Sequence, residues 1–529
     1  MSERHWGPAD RESALAAVKG RSEPWDLIIA GGGITGAGVA REAARAGLNV
    51  LLVERQDFSW GTSSRSSKMV HGGLRYIAQG DIRTTMHSVH ERERLMREAP
   101  GLVDLMPYMM PHYKGRFPGP FLFGMLLRVY DFLAGKRYRR FWSAEKILSR
   151  FPFLRQEGLR GVTEFADAVT DDSRLVMRVL HEACSDGAVA LNYTAVCAMQ
   201  QDASGASVVL RDQESGEEFT VQARAVVNAT GVWANTLREG QTSELQTIRP
   251  ARGSHILIPA ERLPVDVSFT VLHPRDQRPI FVYPWLGRTV IGTTDLDTPM
   301  PGNEEIGITR DEVDYLYELS EFQFPGLGLS DADVISTWAG IRPLVSSGAS
   351  DSSGEKRDHT VWKDGRLISV SGGKLTTFRL IALDVLDAAK EWLADGTLFN
   401  DDAPVFAASS SLSAHPDPAL WKRLSGHYGE AVAEQICTDT TYGADVIEGT
   451  GTLWAELAWC ARNEAIVHLD DLLLRRTRVG LLGANGGLVD IPRLQALAEK
   501  ELGWDEERWL SELERYQSLH SRYYALPAA

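Results

Sequence analysis

The sequence predicts a multidomain α/β protein with a Rossmann-like domain, an α+β domain and a C-terminal all-α domain. Three observations carry this. Near its start the chain runs from an apolar stretch of strand length into a glycine-rich turn and then a helix-like segment. Stretches such as Ser254 to Ile258 and Ile280 to Tyr283 alternate as a β-sheet does. Beyond residue 418, apolar residues recur at helical spacing. A length of 529 residues with 43% hydrophobic content is enough for two or three cores.

The first unit reads strand, glycine turn, helix, strand, acid. Trp25 to Ala30 is the strand, Gly31-Gly-Gly-Ile-Thr-Gly36 the turn, Ala37 to Ala46 the helix, and Asn49 to Val53 a second strand ending at Glu54. Each glycine has a mechanical reason: Gly31 makes the tight turn, Gly33 lets backbone approach a pyrophosphate, and Gly36 lets helix and strand pack closely. Ile34 and Thr35 are candidate cofactor-binding residues within the turn, and the helix N-terminus after it faces the phosphates with unpaired N–H groups. Glu54 accepts the hydroxyls of an adenosine ribose and disfavours NADP, with Arg55 beside it. The unit thus predicts a dinucleotide cofactor and is compatible with either FAD or NAD.

Composition narrows the rest. With 71 acidic against 56 basic residues and a net charge of −15, a nucleic-acid partner is not expected. The four cysteines (Cys184, Cys197, Cys437, Cys460) stand far apart and read as buried thiols in a reducing compartment. His87 and His90 read as helix-surface residues, and no ligand spacing suggests a metal. Residues 1–24 have no continuous apolar stretch and read as an N-terminal extension, neither secretory signal nor spanning helix. No apolar run approaches the ~18–20 residues that a bilayer-spanning helix needs, so contact with a membrane would be peripheral. Residues 394–417 are rich in Gly, Asn, Asp, Pro and Ser and read as a linker. After it Asp417-Pro418 reads as an N-cap and first helical residue, and Trp454 to Leu474 and Glu506 to Tyr524 as helices of a domain over 418–529.

The run Thr62-Ser-Ser-Arg-Ser-Ser-Lys-Met-Val-His-Gly-Gly-Leu-Arg-Tyr76, dense in hydroxyls and glycine, follows the ribose acid. It resembles the signature of the FAD-dependent glycerol-3-phosphate dehydrogenases. Later segments are similar in the same order: Ala225-Val-Val-Asn-Ala-Thr-Gly231 with Val-Trp233, Arg252 to Ile258, Pro284-Trp285, Ile291 to Asp295, Gly340 to Leu344, Lys356 to His359, and Gly372 to Arg379. The resemblance covers nearly the whole chain from about Trp25. It implies a D-amino acid oxidase-like/glutathione reductase-like flavin fold in which the FAD-binding domain is discontinuous (25–78, 170–249 and 365–393). Residues 79–169 and 250–364 would form the substrate-binding domain. It also implies non-covalent FAD, with Thr62, Ser63, Ser64, Ser67, Lys68, His71, Gly72, Gly73, Val196, Ala229, Thr230, Gly231, Trp233, Gly340, Gly373, Lys374, Leu375 and Thr376 joining the first unit's residues around it.

The implied reaction oxidises sn-glycerol 3-phosphate to dihydroxyacetone phosphate, with electrons passing to a membrane quinone. The alternative is an oxidase passing them to O2 and producing H2O2. Such an alcohol oxidation needs cations for the phosphate, donors at the flavin ring and a base for the hydroxyl proton. By the resemblance Arg75, Arg342, Arg357 and Lys374 are the cations and Tyr76 a neutral donor. Gly372-Gly373, leading into a helix-like Leu375 to Trp392, would present N–H groups to the ring. His255 is the candidate base because an unperturbed imidazole titrates nearest neutrality, with Arg342 and Lys374 as rivals. The implied place is cytoplasmic, bound peripherally to the inner face of the cytoplasmic membrane, with homodimer formation left open. Arg116 to Trp142, the most basic and aromatic stretch, reads either as an interfacial anchor meeting anionic headgroups or as a core helix with a basic end.

Overall fold

The computed structural model describes residues 8–78, 80–238, 248–302, 304–346, 358–394, 396–400, 402–407 and 415–527. Two mixed sheets organise them. In the first, Leu367–Gly372, Glu218–Asn228, Trp25–Ala30, Val50–Val53 and Val189–Leu191 lie side by side, all parallel. Strands of this kind are covered on both faces, which is why Trp25–Ala30 and Val50–Val53 are fully buried and read as unbroken apolar runs. One face packs against the helices Ile34–Arg45, Asp172–Ser185 and Phe378–Ala389, through residues such as Val39, Leu180 and Val385. A β-hairpin, Thr194–Gln201 with Ala206–Asp212, extends the sheet from Glu218–Asn228.

Three details depart from the expected elements. The first helix begins at Ile34 rather than Ala37, because Gly33 is its N-cap and the glycine turn is its first turn. Residues 1–24 are not all a loose extension: Pro8–Lys19 is a helix whose Leu15 and Val18 pack under the sheet with Trp25 and Ile28, while Arg11 pairs with Asp212 at 2.8 Å. His359–Asp364, placed by sequence in the substrate domain, hairpins with Leu367–Gly372 and so extends the first sheet. The cysteines are all free, but only Cys460 is buried and Cys197 is exposed, which corrects the expectation of four buried thiols.

The second sheet is built on long antiparallel strands, Val103–Tyr113 against Leu159–Thr170 and Ile248–Pro259 against Ser336–Val345. It contains both stretches predicted as strands, within Ile248–Pro259 and Pro279–Trp285. Helix Arg310–Gln323 covers one face. The other face meets the C-terminal helices through Trp285, Trp338, Leu453 and Tyr516. In that domain Asp417 caps Pro418–Tyr428 by accepting the Ala419 and Leu420 N–H groups, as the sequence predicts.

The C-terminal domain is held to the first domain by buried charges. Asp57 accepts from Arg475 (2.6 Å) and Arg476 (2.6 and 2.7 Å), Asp171 from Arg478 (2.9 Å), and Glu464 from Arg174 (2.8 Å). Burial alone would raise the Asp57 carboxyl, but the two guanidinium groups hold it down at about 2. Removing one partner from such a set strands a buried charge, a cost of about 3–5 kcal/mol.

Candidate active site

A cleft of about 280 Å³ opens where the parallel strands of the first sheet end. Crevices at the carboxyl ends of such strands are where ligands bind in this architecture. Three segments distant in sequence form its walls: Ala30 to Thr35, Ala229 to Trp233, and Val370 to Leu375. The glycines are required by geometry. A Cβ on Gly36 would stand 1.9 Å from the Gly31 carbonyl oxygen, so only glycine lets the helix leave the turn at this angle. Gly33 caps the helix without a side chain, and the Ile34 N–H donates to Ser63 Oγ at 3.0 Å. The positive end of the helix dipole therefore faces the cleft.

Glu54 stands at the end of the second strand in the cleft wall, where each carboxylate oxygen accepts one backbone N–H, from Gly32 (2.7 Å) and Gln56 (2.9 Å). Burial raises its pKa, partly offset by those amides. Each oxygen keeps acceptor capacity for a ligand hydroxyl. Opposite, Gly372 and Gly373 take φ of +81° and +82°, and the chain then enters a 3₁₀ turn (Leu375–Thr377) and helix Phe378–Ala389. This second glycine-to-helix start presents backbone to the same cleft.

One cation, Lys374, stands at that end, and a second, Arg342, precedes the lining residue Pro343. Lys374, in the cleft wall, donates through Nζ to Ser88 Oγ at 2.9 Å and lies 3.8 Å above the Tyr76 ring. Arg342 extends from Ser336–Val345 across its neighbour strand, where Gly253 makes room: a Cβ there would be 2.6 Å from Arg342 Nη2. Its guanidinium donates to Asp295 (3.2 Å) and Thr293 Oγ1 (3.1 Å). The next residue, Pro343, lines the cleft.

His255 follows Gly253 on the same strand face, since side chains two apart point the same way. The imidazole therefore neighbours the Arg342 guanidinium. It stacks on Trp338 with centroids 4.7 Å apart, and its Nε2 is 3.0 Å from Ser67 Oγ. Nδ1 is buried with no hydrogen-bond partner. Burial, then Arg342 and Lys68, push its pKa well below the ordinary value, so the ring is neutral. His255 is 1% exposed and sits behind the cleft wall rather than in it.

Comparison with known proteins identifies this arrangement. A family model described as FAD dependent oxidoreductase matches residues 26–374, and one described as the C-terminal domain of alpha-glycerophosphate oxidase matches 395–509. A mitochondrial glycerol-3-phosphate dehydrogenase of Arabidopsis thaliana is 32% identical, the match covering 96% of this chain and 87% of that protein. The aerobic glycerol-3-phosphate dehydrogenase of Staphylococcus aureus is 35% identical over 86% of this chain and 87% of its own. The chain belongs to the FAD-dependent glycerol-3-phosphate dehydrogenase/oxidase family. Among solved structures, the glycerol-3-phosphate dehydrogenase from Bacillus halodurans complexed with FAD superposes with a TM-score of 0.75 at 26% identity, covering 97% of this chain and 98% of that one. An L-alpha-glycerophosphate oxidase from Mycoplasma pneumoniae with FAD bound shares the fold alone, with a TM-score of 0.58 at 16% identity over 74% of this chain and all of that one.

FAD is the cofactor of this family, and the cleft fits it: a helix start with no side-chain cap for a pyrophosphate, an acid with free acceptor capacity for a ribose, and a second glycine-to-helix start at the far end. Of the residues singled out by sequence, Gly31, Gly33, Ile34, Thr35, Glu54, Arg55, Thr62, Ser63, Val196, Ala229, Thr230, Gly231, Trp233, Gly373, Lys374 and Leu375 line it. Others stand outside the lining. Lys68 is fully buried, donating to Asp172 (2.9 Å) and the Ser64 carbonyl (3.1 Å) between Trp285 and Trp338, so its charge holds the serine-rich loop rather than facing the cleft. Ser67 contacts His255, and Thr376 exchanges hydrogen bonds with the His71 backbone. The Gly72 N–H donates to Asp167, Gly73 abuts Tyr76, and a Cβ on Gly340 would strike the Arg65 carbonyl oxygen. Arg75 lies on helix Leu74–Ala78, and Arg357 lies outside the described residues.

Sequence reasoning passed over Trp60, Thr194 and Ala195, which line the cleft, and Asp172, which anchors the serine-rich loop through the Ser66 N–H and hydroxyl. Trp60 stands 5.8 Å from Trp233 and stood in view, one residue before the Gly-Thr-Ser-Ser run. Thr194 begins a strand paired far from the glycine motifs, and nothing local marks it.

Proposed function

We propose that the protein oxidises sn-glycerol 3-phosphate to dihydroxyacetone phosphate and passes the electrons to a membrane quinone. The observation that carries the reading is Lys374 in the wall at the Gly372-Gly373 end of a cleft shaped for FAD, with Arg342 one residue before the lining Pro343. FAD, when bound, supplies the hydride acceptor. Arg342 offers the substrate phosphate a planar fork held in place by Asp295 and Thr293, and Lys374 a point charge. Arg75 and Arg357 complete the anion site in this reading.

His255 takes the hydroxyl proton. With its Nε2–H donating to Ser67 Oγ, Nδ1 carries an unshared lone pair, and burial beside Arg342 keeps the ring neutral while lowering its basicity. Lys374 is the second reading for the base, favoured by its place in the cleft wall.

The quinone and membrane assignment rests on helix Pro120–Ala134. Its inner side buries Phe123, Leu127 and Tyr130, yet Phe121 and Phe132 are 81% and 83% exposed, with Met125 and Val129 between them. A core helix would not present that outer stripe. No helix among the described residues is long and apolar enough to cross a membrane, so contact here would be interfacial. Of its basic flank, Lys136 is bonded to Glu93 (2.6 Å), Arg139 to Asp131 (2.7 Å), and Arg140 stacks on Trp142 (4.0 Å), so Arg128 and Arg137 are the cations offered to anionic headgroups in this reading. In this reading the protein works at the inner face of the cytoplasmic membrane.

The test is anaerobic reduction of the purified flavoprotein by glycerol 3-phosphate, followed by oxidation with a quinone analogue or with O2. Reduction with rapid quinone turnover and little H2O2 is expected. Fast O2 turnover with stoichiometric H2O2 makes it an oxidase, and failure to bleach refutes the substrate.

A further inference from the structure

A second cavity, of about 390 Å³, lies between the second sheet and the C-terminal domain, away from the glycine motifs. Its floor is the turn at Leu286-Gly287, where Leu286 has φ +46° and Gly287 φ +79°, and its roof is the loop Gly449 to Thr452 with the end of helix Pro418–Tyr428. Charges in the walls are mostly cancelled. Arg423 is paired bidentately with Glu456 (2.7 and 2.6 Å), Arg476 with Asp57, and Asp171 with Arg478. Arg288 is the exception. Its Nε and Nη2 donate only to carbonyl oxygens, Leu482 (3.2 and 2.9 Å) and Gly449, and it has no carboxylate partner among the described residues. Its Nη1 makes no hydrogen bond there.

His427 faces the same cavity. It is 7% exposed, and neither ring nitrogen has a hydrogen-bond partner among the described residues. Burial, with Arg423 next, pushes it down to about 3, so it is neutral at pH 7 and keeps one N–H donor unused. That N–H is open to the cavity, so a ligand entering it finds a donor on offer. Leu286, Tyr428 and Leu482 supply apolar surface beside these donors.

We propose that this cavity binds a small organic carboxylate, its two oxygens accepting from Arg288 and His427 and its carbon skeleton lying against Leu286, Tyr428 and Leu482. One uncompensated positive charge matches one carboxylate. A phosphate dianion would leave excess negative charge in a partly buried site, and a neutral ligand would leave Arg288 unmatched. The volume calls for an organic acid rather than a bare inorganic ion.

The probe is 4-iodobenzoate, with 4-iodobenzyl alcohol as the neutral control. Crystals of the holoenzyme soaked in the acid should show anomalous iodine signal in this cavity, and calorimetry should show binding that weakens at least tenfold in Arg288→Gln and in His427→Phe. The alcohol should bind at least tenfold more weakly than the acid. Because Arg288 also ties Gly449 and Leu482, each variant is first checked for unchanged flavin content and melting temperature. The soak of the unsubstituted protein does not depend on that check. No iodine signal in the cavity at saturating acid overturns the proposal, as does equal affinity for acid and alcohol.

Discussion

Replacing Gly253 by alanine adds one methyl group where the Arg342 side chain crosses a neighbouring strand. The added carbon would stand 2.5 Å from Thr293 Oγ1 and 2.6 and 2.9 Å from the two Arg342 terminal nitrogens, well inside van der Waals contact. The strand backbone cannot withdraw, because Gly253 is paired within the antiparallel ladder with Ser336–Val345. The guanidinium therefore moves, by about 1 Å, and a displacement of that size at a positioning group costs on the order of 10²-fold. In free energy this is about 3 kcal/mol, matching the upper range for a hydrogen bond to a charged group. Overpacking should cost stability only about 1–3 kcal/mol, so the variant should fold and retain flavin. The assay is steady-state kcat/KM with glycerol 3-phosphate and a soluble dye, run beside Arg342→Met. Both variants should fall by similar factors, and the double variant should fall little further than Arg342→Met alone, because both act on one guanidinium. Near-normal kcat/KM in Gly253→Ala would refute the placement of Arg342 at the substrate phosphate.

Three further outcomes are expected. His255→Ala should slow anaerobic flavin reduction by ~10²- to 10⁴-fold with little change in product binding; an unchanged rate across pH would move the base to Lys374. His468 lies between Glu214 (3.3 Å) and Glu512 (2.9 Å), which overcome burial and raise it to about 9, so it contributes about 3 kcal/mol to folding that is fully present below its unfolded pKa of about 6.5 and lost as pH rises through about 9. Thermal melts should fall over that window, and His468→Gln should flatten the fall; parallel curves would exclude the clamp. Phe121→Ser with Phe132→Ser should reduce liposome binding and quinone reductase activity on liposomes while leaving dye-linked activity intact, and unchanged liposome binding would return the helix to a purely structural role.

Sequence alone determined whatever is encoded by spacing within a single element. The strand Trp25–Ala30, the turn Gly31 to Gly36, the acid at Glu54 and the cap at Asp417 are local, since φ > 0, close approach and capping are settled by a few neighbouring residues. The resemblance then supplied Arg342, Lys374 and His255 as names without neighbours. Only the tertiary structure decided what each touches. Lys68, in the middle of the motif that carried the resemblance, proved to be bound to Asp172, a residue more than a hundred positions away. His255 acquired its neutral state from burial and from a guanidinium crossing over Gly253, neither visible along the chain. The strand His359–Asp364 changed domain because its hairpin partner outweighs its place in sequence. The outer face of Pro120–Ala134 could not be told from its inner face by composition, because both carry Phe and Leu. Local geometry depends on bonds within a few residues, whereas protonation, exposure and ion pairing depend on which distant segments fold against them, and those contacts exist only in the assembled fold.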